Sequence, residues 1–426
     1  MQRPKNRILT PARVVAVTLV ALAATTSALV AAPARAARVD RWQPAPRPEM
    51  EHVLEQLVAA GAPGAVAIVN DGSRSGHRPR VWAGASGVAD LRSGRPMQPD
   101  DGFRVGSMTK TFVATVALQL VDEGRLSLSD TVERWLPGLL PYGDKITVRQ
   151  LLDHTSGIPE AAFIPKLALY QGVRFRSWTP PELVALIAHQ PPVFPAGSQW
   201  AYTNTNYLLA GLIVEAVTRR SLGAELARRI FRPLQLRHTY FPVNFPFLVE
   251  PHASGYSLAL DDNLNPIGGP LLDFTVYNPS SLWAEGNIVS TERDLARFFR
   301  ALLGGRLLSG ALLADMKRPV AVSVPGFGYG LGLYVVDTPC GTLFGHTGGV
   351  PGFQNWLFNS ADGSRQVGVM INADSAPAAV DEPFTGLAFE QGIRAAFSGQ
   401  PCAAGEPVAP QALRRGIQDP TIPEEG

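Results

Sequence analysis

The sequence predicts an α/β fold, an antiparallel sheet flanked by helices with a mainly α-helical lobe inserted into it. Three observations lead there. Strand-like runs gather towards the two ends of the chain, helical periodicity fills the middle, and 46% apolar side chains over 426 residues can bury a large core. At ~100–200 residues per domain, that length allows two lobes or more. The formal charge of +2 comes from interspersed acids and bases, without a basic run of the kind that binds nucleic acid.

From the N-terminus, Arg3, Lys5, Arg7 and Arg13 precede an almost wholly apolar stretch over 14–32, and Ala34-Arg35-Ala36 offers small residues for cleavage. This reads as a signal peptide over 1–36, removed after Ala36, and implies a secreted, extracellular protein with no stable membrane span left after processing. Export also makes a disulfide between Cys340 and Cys402, the two cysteines present, a reasonable expectation. Seven histidines form no HxH or HxxxH pair, so no metal or cofactor is expected.

The elements follow in order. A helix is expected around 51–60, then a strand over 64–70, an Asp71-Gly72 turn, and a second strand over 81–88, which together suggest a hairpin. Phe112, Val113, Val116, Leu120 and Val121 recur at helical spacing before Gly124, and another helix is expected over 207–218. Ser290 and Thr291 offer a cap ahead of Leu295, Phe298 and Phe299. Short β-type runs over 329–336, 342–346, 353–358 and 366–371 are separated by Cys-Gly or Ala-Asp-Gly turns, so antiparallel neighbours are expected. The expected division is an α/β lobe over 37–105 and 286–397, a mainly helical lobe over 106–285, and a Pro- and Gly-rich tail over 398–426 without regular structure.

Three short segments carry chemistry. In Val105-Gly106-Ser107-Met108-Thr109-Lys110, a serine and a lysine three positions apart share a face of the first helical turn. A serine hydroxyl is a weak nucleophile until a nearby base takes its proton, and a lysine can do so when burial and the positive end of a helix dipole favour its neutral form. With 23 Ser and 5 Lys in the chain, chance supplies about 0.27 such matches, so the pattern alone is weak. Basic residues here are 33 Arg against 5 Lys, and arginine cannot serve as a base. The other two segments are Tyr202-Thr203-Asn204 and His346-Thr347-Gly348-Gly349.

Ser-x-x-Lys, Tyr-x-Asn and His-Thr-Gly, in this order and at these separations, resemble the penicillin-binding protein and class C β-lactamase superfamily, and most of all its secreted serine D-alanyl-D-alanine carboxypeptidases. The resemblance extends through Phe103-Arg104-Val105-Gly106-Ser107, Ile146-Thr147-Val148-Arg149-Gln150 and Tyr329-Gly330-Leu331-Gly332-Leu333, and covers roughly 61–397. It implies a β-lactamase/transpeptidase-like fold with the active site between the lobes. Ser107 would be the acyl-accepting nucleophile, Lys110 the group that removes its proton, Tyr202 the proton relay to the departing amine, with a phenolate held by Lys110 as one form of it, and His346, also catalytic, would stand where many relatives carry a lysine. Asn204, Thr347, Gly348 and Gly349 would bind substrate, with the amides of Ser107 and Gly349 as oxyanion hole. Trp283 is a cleft-lining candidate, while His154 reads as structural.

The implied substrate is a small peptide, a β-lactam or an ester, hydrolysed by a monomeric enzyme. Tyr334 and Gly349 stand where the carboxypeptidases hold the substrate carboxylate with an arginine and a second threonine, so a D-alanyl-D-alanine carboxypeptidase is the leading expectation with an esterase or D-aminopeptidase beside it. A non-catalytic peptidoglycan sensor is the rival from another class, disfavoured because Ser107, Lys110 and Tyr202 are all present. No Gly-x-Ser-x-Gly occurs, which speaks against an α/β-hydrolase nucleophile elbow.

Overall fold

The computed structural model describes residues 46–72, 81–322, 325–374 and 387–397. The proposed signal peptide, the tail and Cys402 lie outside these described residues; Cys340 is disulfide-bonded. Helix α1 (Pro48–Ala59) leads into strands β1 (Gly64–Asp71), β2 (Val81–Asp90), β3 (Arg95–Pro96) and β4 (Phe103–Arg104). The chain then becomes helical, through α2 (Thr109–Asp122), α3 (Val132–Trp135), α4 (Val148–Leu152), α5 (Phe163–Tyr170), α6 (Pro180–Ala185), α7 (Thr205–Thr218) and α8 (Leu222–Leu226). Short strands β5 (Tyr256–Ser257), β6 (Leu272–Asp273) and β7 (Val289–Ser290) and helices α9 (Trp283–Gly286), α10 (Glu292–Leu303) and α11 (Gly310–Met316) follow. The last segment is strand-rich: β8 (Val320–Ala321), β9 (Phe327–Tyr329), β10 (Tyr334–Thr338), β11 (Gly341–Val350), β12 (Phe353–Asn359), β13 (Arg365–Ile371) and β14 (Ala373–Asp374), closed by a helix at Ala388–Ala396.

Nine strands form one sheet in the order β3-β2-β1-β13-β12-β11-β10-β9-β8, with every neighbouring pair antiparallel. The two ends of the chain meet at β1 and β13, in a register running from Ala65 opposite Ile371 to Asp71 opposite Arg365. Side chains alternate across a strand, and β1 is apolar on both faces. Val66 and Ile68 join the core that holds α2, α7 and α10, while Ala65, Ala67 and Val69 join a second core with α1 and the C-terminal helix. In the first core Phe112 of α2 stacks on Phe298 of α10 with ring centroids 3.6 Å apart.

Two differences from the sequence expectation bear on the site. The run over 329–336 is not one strand but the facing ends of β9 and β10, because Gly332 turns the chain at φ +85°. That turn docks on α2, where Thr111 donates to the Gly332 carbonyl at 2.7 Å and a Cβ on Gly332 would come 2.6 Å from Ala114 Cβ. The strand expected over 342–346 runs on to Val350, so His346-Thr347-Gly348-Gly349 is fully paired with β12. Among the described residues, no helix is long and apolar enough to cross a membrane.

Candidate active site

After β4 the backbone turns through Gly106 at φ +55° and one 3-10 turn, Gly106–Met108, before α2 begins. Glycine is required there twice over. The left-handed conformation disfavours any Cβ, and one built at Gly106 would come 2.9 Å from the amide nitrogen of Gly349. Gly348 is packed more tightly still: its Cβ would lie 2.0 Å from the Val105 carbonyl oxygen. Gly106 of the turn and Gly348 of β11 thus let the strand lie directly against the turn that carries Ser107, which remains half-buried while Gly349 is exposed.

Lys110, in the first turn of α2, is fully buried. Its Nζ lies 2.8 Å from Ser107 Oγ, 2.7 Å from Asn204 Oδ1, 2.9 Å from the Glu285 carbonyl oxygen and 3.4 Å from Glu285 Oε2. A buried amine without such partners would be costly. Tyr202 completes the group. It is 8% exposed, its hydroxyl feels the Ser107 side chain, and its ring centroid is 4.9 Å from Lys110 Nζ. Burial, above all, holds the Tyr202 phenol well above its ordinary titration range, with Tyr334 and Glu285 adding to the effect, so it keeps its proton.

Tyr202 is positioned by His154. Ala201 N–H donates to the His154 carbonyl at 3.0 Å, Thr203 N–H donates to His154 Nδ1 at 3.3 Å, and the imidazole stacks on the Tyr202 ring at 4.2 Å. Asn206 reaches the same Nδ1 at 3.1 Å and accepts from Ser156 Oγ at 2.6 Å. Burial lowers the His154 titration well below the usual histidine value, and the ring is neutral. At the head of α7, Glu160 Oε2 accepts from Asn204 N–H at 2.7 Å and so fixes the residue whose amide oxygen meets Lys110.

On β11, His346 is fully buried, with Nδ1 2.5 Å from the Thr347 carbonyl and Nε2 2.9 Å from the Tyr329 hydroxyl. A carbonyl only accepts, so Nδ1 carries the proton and Nε2 accepts from Tyr329. Desolvation takes the imidazole down to about 3, against a smaller opposing effect of the Thr347 bond. Tyr334 stands beside it, 4% exposed, 4.9 Å from His346 and 4.8 Å from Tyr329 between ring centroids. Thr347 is buried on the same strand.

The structure therefore gathers Ser107, Lys110, Tyr202 and Asn204 within direct contact, and lays Gly348 and Gly349 against the Ser107 turn. Trp283 is held differently from a cleft-lining residue. It is 6% exposed, and its six-membered ring packs on Gly211 of α7. Two participants were not singled out from sequence: Glu285, an acid directly after the apolar Leu282-Trp283-Ala284, and Tyr329, which belongs to the Tyr-Gly-Leu-Gly-Leu run. Among the described residues no group of three His, Cys, Asp or Glu could hold a metal ion.

A family model described as beta-lactamase matches residues 50–389, a span that contains every residue of this constellation. The chain belongs to the beta-lactamase family. It is 28% identical to penicillin-binding protein 4* of Bacillus subtilis (strain 168) over 290 residues, which is 65% of this chain and 62% of that protein. It is 30% identical to esterase EstB of Burkholderia gladioli over 358 residues, 76% of this chain and 88% of the esterase. The crystal structure of a D-stereospecific amidohydrolase from Streptomyces sp. superposes with a TM-score of 0.72 at 38% identity, covering 84% of this chain and all of that one. Members of this family thus include penicillin-binding proteins, an esterase and an amidohydrolase, and the chain is a serine hydrolase of the beta-lactamase and penicillin-binding type with the corresponding antiparallel-sheet fold.

Proposed function

We propose that this hydrolase forms an acyl-enzyme at Ser107 and acts on amides and esters of D-configured acyl donors, with no obligatory carboxylate on the leaving group. The observation that carries the chemistry is a fully buried Lys110 Nζ 2.8 Å from the Ser107 oxygen, with the buried Tyr202 ring 4.9 Å from the same nitrogen. Lys110 takes the Ser107 proton as the oxygen attacks the substrate carbonyl, and the oxyanion is held by the amides of Ser107 and Gly349. Tyr202, kept protonated by burial, donates to the departing amine. Lys110 passes the serine proton on to Tyr202; water then attacks the ester, gives a proton to Lys110, and Lys110 returns it to the Ser107 oxygen as the acyl group leaves. His346 has both ring nitrogens engaged and no charge, so its role is to hold β11 beside Tyr329 rather than to carry a proton.

The substrate reading rests on Tyr334. Where the carboxypeptidases place an arginine, this chain has a buried phenol that burial keeps neutral, and a neutral hydroxyl is a poor counterpart for a carboxylate. Similarity to the Streptomyces amidohydrolase supports the same direction. The second reading, a D-alanyl-D-alanine carboxypeptidase acylated by β-lactams, is favoured by the similarity to penicillin-binding protein 4*. A panel with Ser107→Ala as blank separates them: D-amino-acid amides and 4-nitrophenyl esters should turn over well above a diacyl tripeptide ending in D-Ala-D-Ala. Preferential release of D-alanine from that tripeptide would establish the second reading. Export with removal of residues 1–36 belongs to the same proposal, and the mature chain should begin at Ala37.

A further inference from the structure

Glu285 is not part of any of the three motifs, yet two of its oxygens face the catalytic amine. The contacts of Lys110 Nζ sort by what each atom can do. Asn204 Oδ1 and the Glu285 carbonyl can only accept, at 2.7 and 2.9 Å, and they use two N–H groups. A neutral amine then has one lone pair left, and Ser107 Oγ stands 2.8 Å away to donate into it. Once the serine proton arrives, nitrogen carries a third N–H and a full positive charge inside a buried site. A further oxygen within reach is the Glu285 carboxylate at 3.4 Å, itself on a residue only 4% exposed.

We propose that Glu285 is a third member of the nucleophile's machinery, a positioning and charge-stabilising carboxylate that favours the ammonium form Lys110 adopts when it accepts the Ser107 proton. The step balances without a further reactant. The Ser107 O–H bond breaks, its proton goes to Lys110 Nζ, the oxygen bonds to the acyl carbon, and the carboxylate changes neither bonds nor charge. This matches the general arrangement of nucleophile, base and a group that orients the base, with one difference. Here a single residue supplies both the orienting acceptor, through its carbonyl, and the counter-charge.

Other groups face Lys110 as well. Tyr202 and Tyr207 present their rings at 4.9 and 5.8 Å, and both phenols stay protonated in the buried site. His154 and His346 feel the lysine and are neutral. Glu160 contributes a carboxylate behind Asn204. Glu285 is in ion-pair range of the amine, at 3.4 Å.

The inference rests on the acyl-enzyme reading of Ser107, and the test separates the two. The full chain and its Glu285→Gln and Glu285→Asp variants are first treated with an activated ester, and the Ser107 adduct is measured by intact mass. Then kcat/KM is followed against pH. An opposite charge at this range raises the pH at which a base loses its proton, so Glu285→Gln should move the acidic limb down by about one to three pH units. Its plateau should fall roughly tenfold to a hundredfold. Glu285→Asp, which keeps the charge, should hold the limb near that of the parent even if its plateau falls. A Gln profile that superimposes on the parent's, or an Asp limb displaced as far as the Gln limb, overturns the role of Glu285. Absence of a Ser107 adduct in the parent overturns the serine reading and this inference together.

Discussion

Around Ser107 the deciding quantity is how few positions the reacting groups can occupy. Lys110 has no exposed surface, and Tyr202 is bracketed by His154 on both sides of its backbone and stacked on its ring. Removing the Tyr202 hydroxyl should therefore cost leaving-group protonation while the nucleophile survives. Tyr202→Phe is expected to slow amide hydrolysis by about a hundredfold or more, and to affect a nitrophenyl ester much less, since that leaving group needs no proton. Steady-state rates on matched amide and ester substrates check this. His154→Ala should lower kcat by roughly tenfold with little change in KM, the scale of one lost stacking contact and its hydrogen bond. The grouping of Ser107, Lys110, Tyr202 and Asn204 is legible in the sequence because their motifs are short and local. The parts played by Glu285 and His154 are not, since each depends on a contact with a residue 175 or 49 positions away.

Individual elements reach the site through glycine. Strand β11 can lie against the Ser107 turn because Gly348 leaves the Val105 carbonyl unobstructed, and Gly332 does the same for the β9–β10 turn against α2. Gly348→Ala places a Cβ where the Val105 oxygen already is, so strand and turn must separate. Acylation is expected to fall on the order of a hundredfold as the Gly349 amide leaves its place, measured as the burst rate with an activated ester. A rate within twofold of the parent would mean the contact is not used. The antiparallel strands, α2, α7 and α10 follow from periodicity and turn residues. What periodicity does not reveal is the set of short elements, such as α3, α4 and α9, whose four or five residues carry too little pattern. The division of the 329–336 run is likewise hidden, because apolar residues continue through a turn made by Gly330 and Gly332.

Over the molecule as a whole, stability and activity respond to pH through different groups. Glu292, at the start of α10, is 1% exposed, neither carboxyl oxygen has a hydrogen-bond partner, and burial holds its titration well above the usual carboxylate value. A group whose folded-state value is raised binds more protons folded than unfolded, so its contribution is present at low pH and is lost as pH rises above about 4.5. Replacing Glu292 with Leu should therefore leave the melting temperature little changed relative to the parent near pH 4.5. The advantage of the variant should grow towards pH 8, at roughly 1 kcal/mol per pH unit until the folded-state group ionises. A difference independent of pH would contradict the assignment. In the acyl-enzyme account activity depends instead on the sheet and the helical segment meeting at Ser107, and the most direct test is covalent. Incubation of the protein with an activated D-aminoacyl ester, quenched in the burst phase, should add one acyl mass per chain, and proteolytic mapping should place it on Ser107. Ser107→Ala should add none. An unmodified parent during turnover, or an adduct that persists in Ser107→Ala, would contradict the acyl-enzyme account.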